Sequence, residues 1–260
     1  STKRITEPIS FLRNLALNTL IVSHHGSDDL QGEEKEFVTR FRMLALNEYT
    51  FLVNNHSLQK QDTYRLTAHF GKVGGGDEIR FRIEEEQIQR FPSRDIAIIR
   101  TKALPNRFKR IQNNFPRRSF VSHCNGFIFM KDVEGGAEKL DLISVDRSFV
   151  SKTINGVSYN YQCYQGRPLQ PTKNGDSGSP WVIETAYGHM IVGIHALLHA
   201  NHVAACTLIT LEDVHEWSQP MITTVGTIEV ATPIIQKGKS YIDFHKEKYM
   251  AIQTTEQPKC

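Results

Sequence analysis

Long apolar runs are absent from this sequence. No stretch approaches the ~20 consecutive apolar residues that a membrane helix needs. Ser1–Ser10 is polar, with no apolar core behind a basic start, so no secretory leader is read here. Any membrane anchor would belong to a larger precursor. Cysteine is scarce: Cys124, Cys163, Cys206 and Cys260 are separated by 39, 43 and 54 residues. Such gaps exclude zinc knuckles and paired-thiol redox motifs, and scattered thiols suit a reducing compartment better than an oxidising one. No His-Glu-x-x-His occurs, although His189, His195, His199 and His202 lie close together. In a segment that reads as strand and hairpin, their spacings do not converge as on a helix, so no metal and no other cofactor is expected. An excess of one charge is missing too. The formal net charge is only +3, so any nucleic-acid contact has to come from a local patch.

Long periodic helices are also rare. The exception is at the start, where Ile9, Leu12, Leu15, Ala16 and Leu20 recur at helical spacing after Pro8 and predict a helix over 8–20. The acidic Glu33, Glu34 and Glu36 read as a solvated loop. From Phe37 onward, short apolar runs alternate with turn signals. Phe37–Leu46, Tyr49–Val53, Ile96–Ile99, Trp181–Ile183 and Met190–His195 are examples of the runs. Gly74-Gly75-Gly76, Gly135-Gly136 and Asn155-Gly156 are examples of the breaks. About a dozen short strands at this spacing predict an all-β barrel or sandwich.

The most specific local pattern is Pro171-Thr172-Lys173-Asn174-Gly175-Asp176-Ser177-Gly178. A glycine at 175 lets the backbone turn so that amides of the Gly175-Asp176-Ser177 segment, those of Gly175 and Ser177 above all, face one cavity. There they would form an oxyanion hole and stabilise a carbonyl oxygen as it becomes negative. Gly178 would leave room for substrate. A plain hairpin turn uses the same residue types, so the pattern gains weight only with a base and an acid upstream. Gly-Asp-Ser-Gly resembles the nucleophile motif of chymotrypsin-fold proteases, whose triad runs His, acid, nucleophile. Asp95, directly before Ile96-Ala97-Ile98-Ile99, fits a carboxylate held at a barrel rim. His56 follows the apolar run Tyr49–Val53 and precedes Asp95 by 39 residues, leaving room for the intervening hairpins. His69 is the rival base, with only 26 residues before Asp95. His24 and His25 lie before most of the first barrel.

Four ordered segments sharpen the resemblance. Asp95–Ile111, Pro171–Gly178, Ile191-Val192-Gly193-Ile194-His195 and Val203–Cys206 resemble, in order, the acid strand, nucleophile loop, pocket strand and closing strand of picornavirus-like 3C main proteases. The dicistrovirus and iflavirus forms fit best. The resemblance covers about Phe37–Leu211. It implies an all-β, chymotrypsin-like double β-barrel with a short N-terminal helix. The implied activity is a cysteine-type endopeptidase that cleaves a viral polyprotein after Gln and before a small residue. His195 and Thr172 would donate to the glutamine side chain, and the main chain around His195 and Ala196 would pair with extended substrate. Two positions depart from the family. Ser177 stands where the family has Cys, which reads as a silencing Cys→Ser change, a native serine enzyme being the alternative. Ala196-Leu197-Leu198 replaces the glycines common after the pocket histidine. A trypsin-like cellular enzyme fits less well, because Pro171 stands six residues before Ser177 where Asp confers Arg/Lys specificity.

From Ile96 to Lys131 there is no Asp or Glu, and Arg107, Lys109 and Arg110 crowd its middle beside Phe108 and Phe115. The resemblance implies viral RNA binding there, with a solvated linker as the plain alternative. An inactive, protease-like RNA-binding module is the alternative for the whole chain. The expected organisation is an N-terminal helical segment (1–20), an N-terminal barrel (21–105), a basic linker (106–116), a C-terminal barrel (117–225) and an extension (226–260). Each barrel is expected to hold six strands. Expected partners are the viral polyprotein, viral RNA and host proteins as further substrates, in the cytoplasm of an infected cell, with no membrane contact by this domain.

Overall fold

The computed structural model describes residues 7–30, 33–121, 123–154, 157–186, 188–198, 202–219, 223–225 and 228–230. Residues 7–218 form one compact unit of two β-sheets. None of the described helices is long and apolar enough to cross a membrane.

Helix α1 (Glu7–Asn18) opens the chain. It stops two residues before the end of the 8–20 expectation, because Leu20 is taken by the first strand. Its apolar stripe holds Phe11 and Leu15, which the structure buries, with Leu12 and Ala16 packed alongside.

The first sheet has seven strands rather than the expected six: β1 (Thr19–Leu30), β2 (Glu33–Ala45), β3 (Thr50–Asn54), β4 (Thr63–His69), β5 (Glu78–Glu84), β6 (Ile88–Phe91) and β7 (Ile96–Arg100). Their spatial order is β5-β4-β1-β2-β3-β7-β6. The acidic Glu33, Glu34 and Glu36 are not in a loop; they pair with Leu30, Asp29 and Ser27 in the β1–β2 hairpin. Ladder hydrogen bonds join main chains, so a polar strand end can pair without an apolar side-chain signal.

Strand residues alternate between two faces, and the alternation explains the packing. Leu20 and Val22, Phe41 and Met43, Phe51 and Val53, Ala97 and Ile99 point into the core of the first sheet. The intervening Leu44, Leu52, Ile96 and Ile98 point the other way. They join Phe127, Phe129, Ile191 and Ile194 of the second sheet, together with Phe11 and Leu15 of α1, in a shared core. The two sheets are thus joined by apolar burial.

The second sheet is a closed six-stranded barrel in the order β10-β13-β12-β11-β8-β9. Its strands are β8 (Cys124–Lys131), β9 (Ala137–Ile154), β10 (Val157–Pro168), β11 (Pro180–Thr185), β12 (Gly188–Leu198) and β13 (Ala204–Leu208). Trp181, Tyr164, Cys206 and Ile128 fill it. Helix α2 (Leu211–Trp217) follows. The sequence reading missed this helix, although Thr210 caps it and Asp213 reaches back to the Thr210 amide, the reciprocal pair that marks a helix start. Beyond it, β14 (Thr223–Val225) and β15 (Ile228–Val230) form a short hairpin in a second unit, residues 219–260. That hairpin straddles the expected 225/226 boundary. The rest of the expected extension lies outside the described residues.

Candidate active site

His56 sits on a short 3₁₀ turn (Asn55–Ser57) that directly continues β3. Arg90 on β6 holds that turn from both sides, donating to Asn55 Oδ1 and to the Leu58 carbonyl at 2.8 Å each. Asp95 closes another 3₁₀ turn (Pro92–Arg94) in the left-handed region, with φ 55°. Asp tolerates that conformation better than bulkier residues do. The neighbouring Arg94 donates two bonds to Asp213 of α2, at 2.9 and 2.7 Å, and one to the Leu208 carbonyl. The turn that carries Asp95 is therefore pinned to the second barrel.

The structure brings His56, Asp95 and Ser177 into one line. Asp95, with a fully buried side chain, accepts from His56 Nδ1 at 2.7 Å and from the His56 amide at 3.0 Å. The Ser177 hydroxyl lies 3.1 Å from His56 Nε2, so it can donate to that nitrogen. The imidazole itself remains 33% exposed, at the floor of a cleft of about 890 Å³. His69 is elsewhere: its ring contacts Ser23 and Glu78 inside the first sheet. His24 also lies in that sheet, bonded to Gln61, although it reaches the edge of the cleft.

The loop 171–178, which carries Ser177, turns through two left-handed glycines, Gly175 at φ 95° and Gly178 at φ 88°. A side chain on Gly178 would also collide with the Arg42 carbonyl. Among the described residues, nothing takes the amides of Gly175 and Ser177. The Asp176 amide is different: it donates to the Lys173 carbonyl at 3.1 Å. Asp176 therefore drops out of the expected set of oxyanion donors, because its N–H is spent in the turn. Its side chain has another task. It is buried 3.2 Å from Arg42 on β2. The Arg42 guanidinium also donates to the Gly175 carbonyl and, at 2.7 Å, to the Lys131 carbonyl, while the Arg42 amide donates to the Ser177 carbonyl at 2.8 Å. Burial lowers the Arg42 pKa, and Asp176 and Asp132 oppose that shift. Lys131, also buried, donates from Nζ to the Ala16 and Thr19 carbonyls at the end of α1. A cation from the first sheet thus sets the loop of the second. The sequence reading missed Arg42, since nothing local distinguishes it from any strand arginine.

His195 on β12 is buried and stacked on Trp181. Trp181 Nε1 donates to His195 Nδ1 at 3.3 Å. Because Nδ1 accepts, the neutral ring carries its proton on Nε2. Burial, with smaller contributions from His56 and Arg42, lowers its pKa to about 4, so the ring is neutral at neutral pH. The His195 amide and carbonyl are already bonded to Ser179 (2.7 Å) and Gly178 (3.0 Å). Main-chain pairing at His195 itself is therefore closed to a substrate. A bulge between His195 and Leu197 takes Ala196 out of the β12–β13 ladder. On its other side, β12 pairs with β11 only as far as Ile194, and among the described residues no strand pairs with that side of the residues after His195. Thr172 is half-buried, and no other described group takes its hydroxyl.

In the basic stretch, Phe108 and Phe115 are buried in the two cores and are not stacking platforms. Arg107, Lys109 and Arg110 are exposed around them. Arg107 lies over the Phe70 ring and 3.5 Å from Asp77. The Lys109 main chain is clamped by the Asn18 side chain, which donates to its carbonyl at 2.6 Å and accepts from its amide at 2.9 Å. Of the histidine cluster, His199 lies outside the described residues.

No protein-family model and no curated protein sequence matches this chain. Solved structures do. The active form of the Rv3671c protease from M. tuberculosis aligns with a TM-score of 0.53 at 14% identity, covering 81% of this chain and 85% of that one. The apo MamO protease domain from Magnetospirillum magneticum aligns with a TM-score of 0.52 at 14% identity, covering 79% and 98%. The NS6 protease of murine norovirus 1 matches at a lower TM-score of 0.44 and 13% identity, over 65% and 85%. At these identities the likeness of the first two is one of fold, and the chain has the chymotrypsin-like fold of two barrel-like β-sheets.

Proposed function

We propose that this chain is an endopeptidase working by acyl transfer, with His56 as general base and then acid, Asp95 orienting it, and residue 177 as nucleophile. The carrying observation is the continuous Asp95–His56–Ser177 chain at 2.7 and 3.1 Å beside two untaken amides. Attack on the scissile carbonyl would pass the nucleophile's proton to His56 Nε2. The amides of Gly175 and Ser177 would hold the oxyanion, and the imidazolium would return the proton to the leaving amine.

The substrate reading is cleavage after Gln and before a small residue of a viral polyprotein, with host proteins as further substrates, in the cytoplasm of an infected cell. A neutral His195 supports it. A ring that accepts at Nδ1 offers a donor at Nε2, which suits a glutamine carbonyl. Glutamate would bring an uncompensated charge to a buried site. Thr172 would supply a second donor. The nucleophile is read as a Cys→Ser replacement. A thiolate can be held ready by an imidazole, whereas serine depends on concerted proton removal. The Ser177→Cys form should therefore cut a Gln-containing peptide much faster than this chain. If this chain cuts well while its Ser177→Cys form does not, it is a native serine enzyme. Failure of both would sink the peptidase reading.

Viral RNA binding is the second reading. Arg107, Lys109 and Arg110 face outward while Phe108 anchors the segment in the core and Asn18 fixes its main chain. Each of these cations that touches a phosphate should lower the salt slope of binding by about 1 when replaced by Ala. An unchanged slope in all three variants would remove the patch from consideration.

A further inference from the structure

Three carboxylates in a row, Glu84-Glu85-Glu86, precede β6, and Arg90 follows on that strand. The fold separates them. Glu84 accepts from Thr63 at 2.5 Å, Glu86 is exposed, and Glu85 pairs with Arg90. The side chains of that pair are only 15% and 22% exposed, so it is sheltered from the screening that makes surface pairs weak. The bonds from Arg90 hold the Glu85 carboxyl below the usual carboxylate range, so the pair is charged at neutral pH.

A guanidinium has five N–H donors in a rigid fork, and in Arg90 all five are taken. Nε and Nη2 grip the Glu85 carboxylate at 2.7 and 3.0 Å. Nη2 also donates to the Tyr64 hydroxyl at 2.7 Å. Nη1 gives both of its hydrogens to the turn that carries His56, at Asn55 Oδ1 and at the Leu58 carbonyl, 2.8 Å each. That turn is three residues long, Asn54 provides no side-chain cap, and its closing bond from the Leu58 amide to the Asn55 carbonyl is 3.3 Å. On its other side, the Asp95 carbonyl and carboxylate accept from the amides of Asn55 and His56 at 3.1 and 3.0 Å. His56 is therefore held between two anchors, the turn bearing Asp95 and the Arg90 fork. The same network runs on along the cleft. The Tyr64 hydroxyl donates to Glu85 at 2.5 Å and accepts from the Gln61 amide at 2.9 Å, and the Glu85 amide donates to the Asp62 carbonyl at 3.0 Å. Segment 55–62, of which His56, Ser57 and Gln59 line the cleft, is thus fastened at both ends to the Arg90–Glu85 pair.

We infer that Arg90 is a positioning residue for the base: its Nη1 bonds to Asn55 and Leu58 set where His56 Nε2 stands relative to the nucleophile at position 177, and Glu85 and Tyr64 in turn set Arg90. The inference rests on the endopeptidase reading and adds to it a residue that touches neither substrate nor reacting atoms. The leverage is large, because a misplacement of about 1 Å in a catalytic group can cost on the order of 10²-fold in rate. Lysine cannot take over the task. Its three donors sit on one nitrogen and cannot reach Glu85, Tyr64, Asn55 and Leu58 together.

The test uses two substitutions in the Ser177→Cys form. Arg90→Lys keeps the charge but not the fork. Asn55→Ala removes one bond to the turn and leaves the Arg90–Glu85 pair untouched. With a Gln peptide, Arg90→Lys should lower kcat at least about tenfold while KM changes less than about twofold, and Asn55→Ala should lower kcat about threefold in the same way. Combined, they should cost less than the product of the two, since both remove the same bond. A second readout needs no peptide: the pH profile of iodoacetamide alkylation of the introduced thiol. A thiol beside a well-placed imidazole reacts below the ordinary thiol pKa of about 8.5, and Arg90→Lys should move the profile up toward that value. If Arg90→Lys does not fold, Asn55→Ala decides by the same two readouts. An unmoved profile, with kcat unchanged or with kcat and KM altered by equal factors, would overturn the role of Arg90 and leave the peptidase reading standing. If the Ser177→Cys form with Arg90 intact cuts no peptide, the peptidase reading fails, and the alkylation profile alone decides whether Arg90 places His56.

Discussion

Two serine–histidine–carboxylate constellations stand among the described residues, in very different surroundings. Ser177–His56–Asp95 has contacts of 3.1 and 2.7 Å; Ser23–His69–Glu78 has contacts of 2.9 and 3.2 Å. Distances alone barely separate them. The surroundings do. Ser23 sits inside a strand, paired on both sides with Arg40 and Thr67, so its amide belongs to the sheet and its side chain is buried. Glu78 approaches His69 Nδ1 without the alignment of a hydrogen bond. Burial also lowers the His69 pKa. Ser177 instead lies on a loop turned by two left-handed glycines, with free amides beside it and an imidazole open to a cleft. A hydrogen-bonded Ser–His–acid chain becomes a site only when a substrate carbonyl can reach it and donors wait for its oxygen.

The comparison can be broken most directly by deleting the bases. In the Ser177→Cys form, His56→Ala should cost on the order of 10⁴ or more in kcat/KM, whereas His69→Gln should leave it within about threefold. The reverse pattern in a peptide-cleavage assay would exchange the two roles. Next in size is Arg42→Met. Leaving Asp176 as a buried unpaired carboxylate should destabilise the fold by about 3–5 kcal/mol, read as a lower denaturation midpoint. It should also cut kcat far more than KM, because the loop carrying the oxyanion amides loses its strut. Arg42→Lys should recover part of both, and equal losses in kcat and binding would deny the loop-positioning role.

His195 should give a pH signature. Its folded pKa of about 4 lies below the ordinary 6.5. The unfolded chain therefore binds a proton between those values that the folded chain refuses. The stability contributed by the neutral buried ring is complete above about pH 6.5 and is lost as pH falls toward 4. The loss is on the order of 3 kcal/mol. Chemical denaturation at pH 7 and pH 4.5 should show that slope, and His195→Gln should flatten it; an unchanged slope would mean that His195 is not held neutral. The smallest effect expected is from Ser23→Ala, about 1 kcal/mol of stability with activity unaltered. A large loss of activity there would show that the buried constellation is coupled to the cleft.

Most of the fold was readable because its signals are local. Strands such as β3 (Thr50–Asn54) and β7 (Ile96–Arg100) alternate between two cores, so their apolar runs stand out. Gly175 and Gly178 occur where the backbone needs a left-handed residue. His56 could be favoured over His69 by chain order and spacing, since the first sheet needs its hairpins between base and acid. What escaped depends on long-range pairing. The polar end of the β1–β2 hairpin is held by main-chain bonds that carry no side-chain signature. Helix α2 is short, and its Thr210–Asp213 start signal is easily passed over. Arg42 acquires its place only when β2 meets the nucleophile loop, 133 residues away in sequence. The basic stretch misled in one detail, because Phe108 and Phe115 read as interleaved aromatics and are core residues.

The most direct test is a single peptide pair, Gln or Glu before a scissile bond to a small residue, offered to this chain and to its Ser177→Cys form. The account predicts that the Cys form cuts the Gln peptide far faster than the Ser form does. It should prefer Gln over Glu by at least about a hundredfold at neutral pH, as expected of a neutral donor in a buried pocket. No cleavage by either form, or equal cleavage of both peptides, would contradict it.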